Sequence, residues 1–151
     1  VLAGAAQGAT DDQQAMRSYY RDNIAAIPEM GVCARQLWEA TGLGPEDIQV
    51  ANIYDHFTPL VLPQLEEFGF CPRGEAADFL RDGNIELGGL LPINTNGGQL
   101  GEAYIHGING VNEGVRLIRG TSVNQPEKND CVLVTAGVGV PTSAMILGKL
   151  D

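Results

Sequence analysis

Three short clusters hold the side chains whose types and spacing could do chemistry. In Tyr54-Asp55-His56-Phe57-Thr58 a phenol, a carboxylate and an imidazole follow one another where a β-branched run meets a helical pattern. Ligands of open α/β sheets gather outside the carboxyl ends of strands, which favours a site there. Asp55 or Thr58 serving only as a helix cap is the alternative. The second cluster, Asn94-Thr95-Asn96-Gly97-Gly98, runs on to Gly101-Glu102-Ala103-Tyr104-Ile105-His106-Gly107. A glycine-rich turn feeding a helix offers free N–H groups and the positive end of the helix dipole, where a carbonyl or enolate oxygen could sit. Tyr104 falls one turn into that helix on an apolar stripe, so core packing with a satisfied hydroxyl is its other reading. The third cluster, Thr135-Ala136-Gly137-Val138-Gly139, ends a strand in glycines that can bare N–H groups or simply serve a tight β connection.

Signals outside these clusters are weak. His106 lies two residues past Tyr104, hence on another helix face. Cys71, in a loop before Pro72, has no sequence neighbour that would lower its pKa. The chain contains no GxGxxG, P-loop or GxSxG motif, which weighs against nucleotide-dependent and serine-hydrolase chemistry. Cys33, Cys71 and Cys131 are too widely spaced for a zinc site, and no metal is expected.

The elements that must position these clusters follow from periodicity. Residues 1–6 read as a strand entered in mid-chain, without an initiator methionine, so the chain is expected to be part of something longer. Residues 11–27 are polar and end at Pro28, an irregular or partly helical excursion. Residues 30–41 give a short helix with Gly42 as its C-cap. A strand is expected over 48–54 and helices over 59–68 and 75–81. Tyr104, Ile108, Val111, Val115 and Ile118 then step by four, three, four and three along one helical face. Gly107, Gly110 and Gly114 form a second stripe. Each interior glycine costs ~1 kcal/mol against alanine, so the spacing predicts another backbone passing close to this helix. Residues 131–135 and 144–147 are apolar strands, and the order of elements predicts one α/β layer domain with a mixed sheet.

Composition narrows the class. Among 151 residues, 19 are acidic and 9 basic, and the net charge of -10 argues against nucleic acid and anionic membranes, which need clustered Lys and Arg. No apolar run approaches the ~20 residues of a membrane span. Three cysteines, an odd number at wide spacing, fit a reducing cytoplasm better than a disulfide scaffold.

In this order and separation the clusters resemble the C-terminal half of the thiolase superfamily, and more closely its sterol-carrier-protein or lipid-transfer branch. There a strand ends in His-Asp-Cys-Phe-Ser, followed by a helix and a Gly-Leu-Cys-Pro-x-Gly loop. Here the same stretch reads Tyr54-Asp55-His56-Phe57-Thr58, then Gly69-Phe70-Cys71-Pro72-Arg73-Gly74. The family's Asn-x-x-Gly-Gly loop leads to Gly-His-Pro; this chain has Asn94 to Gly98 leading to Ala103-Tyr104-Ile105. The similarity covers residues 48–150 well and the first 47 loosely. It implies that 1–151 is one thiolase-like C-terminal domain with an excursion at about 11–30. The implied fold is α/β and layered, a mixed five-stranded sheet with helices on both faces, half of a duplicated whole.

The departures carry the functional expectation. Tyr104 and Thr135 stand where thiolases place the Gly-His-Pro histidine and a second cysteine, and Tyr54 replaces the first histidine of the strand-end motif, so His56 does not inherit that role. Two tyrosines converging on one pocket resemble the thiolase-like steroid side-chain-cleaving aldolases. The resemblance implies retro-aldol cleavage of a β-hydroxy acyl-CoA to a ketosteroid and propionyl-CoA, with Tyr54 and Tyr104 as the acid–base pair. Substrate contacts would come from Asp55, His56, Asn94, Asn96, Gly97, Gly98 and Gly137. A phenol of pKa about 10 is a poor base at neutral pH, so the site is expected to lower it, through the helix N-terminus near 98–102. No cofactor is implied beyond the CoA of the substrate. The implied partners are the N-terminal half of the same protein, a second copy in a homodimer, and an OB-fold protein sharing the acyl-CoA site. A degenerate thiolase or acyltransferase, and a noncatalytic scaffold half, are the alternatives.

Overall fold

Four strands form one mixed sheet in the order β1-β4-β3-β2 in a computed structural model that describes residues 1–12, 21–23, 25–139 and 142–149. β1 (Leu2–Gln7) runs antiparallel to β4 (Ser143–Gly148), and β4 antiparallel to β3 (Cys131–Ala136). β3 then runs parallel to β2 (Val50–Asn52), pairing Val50 with Val132 and Asn52 with Val134. The five strands implied by the family resemblance are therefore four. The fifth survives as a single parallel bridge between Ala51 and Ile93. Pro92 has no N–H to extend a ladder, and Asn94 turns the chain away at φ 47. The predicted excursion at 11–30 lies partly outside the described residues.

Helices cover both faces. α1 (Pro28–Thr41) starts on a proline and stops at Gly42, whose φ of 70 lets its N–H return to the Trp38 carbonyl. Met30, Cys33, Ala34 and Leu37 recur on one face and are buried. A turn of 3₁₀ helix at Thr58–Leu60 leads into α2 (Val61–Glu67), and α3 (Ala76–Arg81) follows. With α1 and α2 they bury Leu133, Ile146, Ile53 and Phe68 in the larger core.

The opposite face carries α5 (Ile108–Arg119), preceded by the single-turn α4 (Gly98–Gly101). Here the sequence expectation is corrected. Tyr104 is not on α5, and the Ile/Val stripe is not its deepest face: Ile108 is exposed, whereas Asn109, Glu113, Gly114 and Leu117 are buried. The break has a backbone cause, because His106 (φ 51) and Gly107 (φ 92) are both left-handed and no α-helix passes through them. The predicted close approach does occur. A Cβ on Gly110 would stand 3.3 Å from Val134, and one on Gly114 2.9 Å from Leu147, so the glycine stripe seats α5 on the sheet.

Candidate active site

Tyr54 leaves the carboxyl end of β2, where the parallel neighbour β3 ends at the same level. Its N–H donates to Thr135 Oγ1 at 2.8 Å, and its carbonyl accepts from Gln64 Nε2 at 2.8 Å. The Thr135 hydroxyl donates to Gln64 Oε1 at 2.7 Å, closing a ring of buried bonds between β3 and α2. The aromatic ring, 6% exposed, then points at the loop between α4 and α5. There its hydroxyl oxygen lies 2.5 Å from that of Tyr104, which is 45% exposed. Two phenols fifty positions apart thus share one hydrogen bond at the protein surface.

The electrostatics run against one expectation. Burial raises the Tyr54 pKa well above its ordinary value, and the Tyr104 hydrogen bond and the Asp55 charge act in the same direction. The N–H groups expected to lower it are engaged elsewhere: the Gln99 N–H donates to Asp55 Oδ1 at 2.7 Å and the Gly98 N–H to Asn96 Oδ1 at 3.1 Å. Tyr54 is therefore held as a neutral phenol. His56 packs its ring 4.6 Å from that of Tyr54. Burial lowers its pKa against the pull of Asp55, and its buried Nδ1 has no hydrogen-bond partner among the described residues.

The other expected contacts sort into lining and framework. Asp55 is buried with its carboxylate against α4, and a Cβ on Gly98, at φ 67, would collide with it. Asn94 accepts the Ile53 N–H through Oδ1 at 2.8 Å, and Asn96 donates to Glu102 Oε2 at 3.0 Å while accepting from Gly98. Gly97 (φ 93) and Gly137 (φ 74) close the two turns. Behind the tyrosines a cavity of about 10 Å³, the size of one water, is lined by Asn52, Tyr54, Asn94, Asn96, Gln99 and Thr135. Phe57, which follows His56, Leu100 of α4, Ile105, which follows Tyr104, and Ile108 at the start of α5 all stand exposed. Among the described residues no three His, Cys, Asp or Glu side chains converge as metal ligands.

Comparison with known proteins places this geometry. Residues 10–149 match the model of the thiolase C-terminal domain-like family. The chain belongs to that family. This thiolase-like domain is 68% identical over 148 residues to a steroid side-chain-cleaving aldolase of Thermomonospora curvata, covering 98% of the chain and 38% of that protein. It is 63% identical over 148 residues to the 17-hydroxy-3-oxo-4-pregnene-20-carboxyl-CoA lyase of Mycobacterium tuberculosis, with the same two coverages. A solved Ltp2-ChsH2(DUF35) aldolase superposes with a TM-score of 0.95 at 66% identity, over 99% of this chain and 39% of that one. The thiolase-like domain thus spans well under half the length of these relatives.

Several residues that build the site escape a reading for chemistry. Gln64, fully buried, interrupts the apolar stripe Val61, Leu65, Phe68. A polar side chain on a core face must be paired, and that was the available signal. Gln99 and Asn109, each 5% exposed, leave no comparable trace, because the periodicity predicts an unbroken helix through the loop that they bond.

Proposed function

We propose that this domain is the tyrosine-bearing part of an aldolase that cleaves a steroid-type β-hydroxy acyl-CoA into a ketosteroid and propionyl-CoA. The observation that carries the reading is the Tyr54–Tyr104 hydroxyl pair at the strand ends, in a domain 68% identical to a protein named as a side-chain-cleaving aldolase. The reaction needs one proton taken and one given. The substrate O–H breaks and its proton passes to a tyrosinate. The Cα–Cβ bond breaks with its electron pair moving into the thioester as an enolate, and the new carbonyl leaves on the ketosteroid. A phenol then protonates Cα. The electron pairs of the broken O–H and Cα–Cβ bonds end in the new carbonyl and the enolate and the protons balance, so the step calls for no oxidant or reductant.

The environments of the two phenols support one division of labour. Tyr54, buried and held neutral, suits the proton donor. Tyr104, half exposed with its hydroxyl bonded to that of Tyr54, is the phenol placed to meet the substrate hydroxyl and take its proton. The exposed apolar side chains of Phe57, Leu100, Ile105 and Ile108 suit a large apolar acyl group. Arg116, the nearest basic side chain on α5, faces Glu102 and Glu113, so the CoA phosphates are expected on the remainder of the protein or on an OB-fold partner. A homodimeric assembly in a reducing cytoplasm completes the proposal, and the free thiols of Cys33, Cys71 and Cys131 agree with that setting.

The test uses the full-length protein with its partner and a synthetic β-hydroxy acyl-CoA. Tyr54→Phe and Tyr104→Phe should each abolish propionyl-CoA release while the melting temperature stays near wild type. Near wild-type turnover in either variant sinks the reading.

A further inference from the structure

Tyr104 is half exposed, and its own side chain has little to hold it: the Tyr54 hydroxyl and an edge contact with the His106 ring 4.8 Å away. Burial does not fix it. Its position must come from the loop that carries it, residues 102–107, and that loop contains a non-glycine residue at positive φ, a conformation that persists only where neighbours impose it. The backbone of this loop is bonded by two side-chain amides that flank it. From the α4 side, Gln99 Oε1 accepts the Gly107 N–H at 3.2 Å. From the α5 side, Asn109 Nδ2 donates to the Ala103 carbonyl at 2.8 Å, and Asn109 Oδ1 accepts the Ile105 N–H at 3.3 Å. Asn109 Nδ2 also meets Glu102 Oε2 at 3.0 Å, which Asn96 holds from the other side.

We propose that Gln99 and Asn109 are positioning residues that hold the Tyr104 hydroxyl against Tyr54. Gln99 links the two halves of the pair. Its main-chain N–H is bound by Asp55, the residue after Tyr54, and its side chain binds Gly107. Gly107 in turn lies under the Tyr54 ring, where a Cβ would stand 3.3 Å from Cε2. A displacement of the loop at Gly107 therefore changes the distance between the two hydroxyls directly. Asn109 does the same from the side of Ala103 and Ile105, the two neighbours of Tyr104. An amide is needed there, because one side chain must both donate and accept. Each amide is 5% exposed, so neither is arranged to meet substrate.

This assignment rests on reading Tyr54 and Tyr104 as the acid–base pair, and the experiment separates the two. In the full-length protein with its partner, Gln99→Leu removes the acceptor at nearly constant volume, and Gln99→Glu keeps it. A loop loosened by about an ångström should lower kcat by about 10- to 100-fold with KM within about twofold, and Gln99→Glu should recover most of the loss. Independently of turnover, tyrosinate absorbance is titrated in each variant and in Tyr54→Phe, which identifies the Tyr54 transition. The groups facing that phenol are Asp55, His56 and Tyr104; with the Tyr104 bond broken, its transition should move down toward the ordinary value of about 10. Asn109→Asp, which keeps the acceptor and loses both donors, should shift it the same way and decides the matter if Gln99→Leu does not fold. An unchanged Tyr54 transition in the folded variants overturns the positioning role, as does equal loss in Gln99→Leu and Gln99→Glu. If instead the titration shifts while Tyr54→Phe retains turnover, positioning stands and the acid–base reading fails.

Discussion

On the face of the sheet covered by α1 and α2, Met30, Leu37, Leu65, Phe68 and Ile146 are fully buried among other apolar side chains. On the face covered by α5, the apolar cluster is small, with Val50, Leu117, Val132 and Val134 at its centre. The buried side chains around it include Asn52, Asn109 and Glu113, and the helix approaches on glycines. Glu113 accepts from Thr95 and from Ser122, each at 2.5 Å, and so ties the Asn94–Gly98 turn to α5. The first face is held by non-directional burial, which tolerates small shifts in geometry. The second is held in larger part by hydrogen bonds, which fix angles and distances, and it frames the Tyr104 loop, whereas Tyr54 sits in the larger core with its main chain bonded to Thr135 and to Gln64 of α2. Substitutions should separate the two faces: stability is lost on one, function on the other.

The largest effect is expected at the pair itself. Tyr104→Phe removes one hydroxyl from a half-exposed side chain, so stability should change little, while on the proposed acid–base role its loss should cost about 10²- to 10⁴-fold in kcat. Phe68→Ala is the counterpart on the other face. Phe68 is fully buried with its ring set edge-on to Trp38 at 6.0 Å, and its truncation should cost about 3–5 kcal/mol. Urea midpoints and kcat measured on both variants at a temperature where each remains folded make the comparison. Equal loss of kcat in the two would remove the distinction between the faces.

Gly114→Ala probes the seam between them with a smaller expected effect. The new methyl would stand 2.9 Å from Leu147 Cδ1 and 3.0 Å from Val134 Cγ2. Leu147 can rotate; the β-branched Val134 is stiff. Overpacking of about 1–3 kcal/mol is offset by the ~1 kcal/mol that alanine gains over glycine in a helix, leaving a net loss of about 1 kcal/mol in denaturant unfolding. A stabilised variant would mean that α5 does not sit on its glycines.

How much of this could be read from the chain follows the same division. Apolar periodicity records burial, so α1, the paired strands β3 and β4, and the glycine stripe were legible before any coordinates. Convergence of Tyr54 and Tyr104 was legible only through resemblance, since nothing in local spacing brings residues fifty positions apart together. The break before α5 is not legible in the sequence, because side-chain periodicity is blind to a left-handed residue such as His106. The sign of the Tyr54 shift was missed for a related reason. The N-terminus of α4 was counted as available, but Asp55 reaches it from another element, and occupancy of an N–H by a distant carboxylate is a tertiary fact.

The smallest expected effect concerns His56, which packs against Tyr54 in a partly buried position. Burial favours its neutral form, so its folded pKa lies below the unfolded value of about 6.5. A depressed pKa contributes stability that is present above about pH 6.5 and lost as pH falls through the folded value, because the unfolded chain takes up the proton first. Asp55 opposes the shift, which keeps the effect small. The urea midpoint of the full-length protein should therefore drop more between pH 7.5 and pH 5.5 (about one unit either side of that value) in wild type than in His56→Gln. Identical slopes would place the imidazole in water, whereas the expected difference means that the surroundings of the ring beside Tyr54 exclude charge.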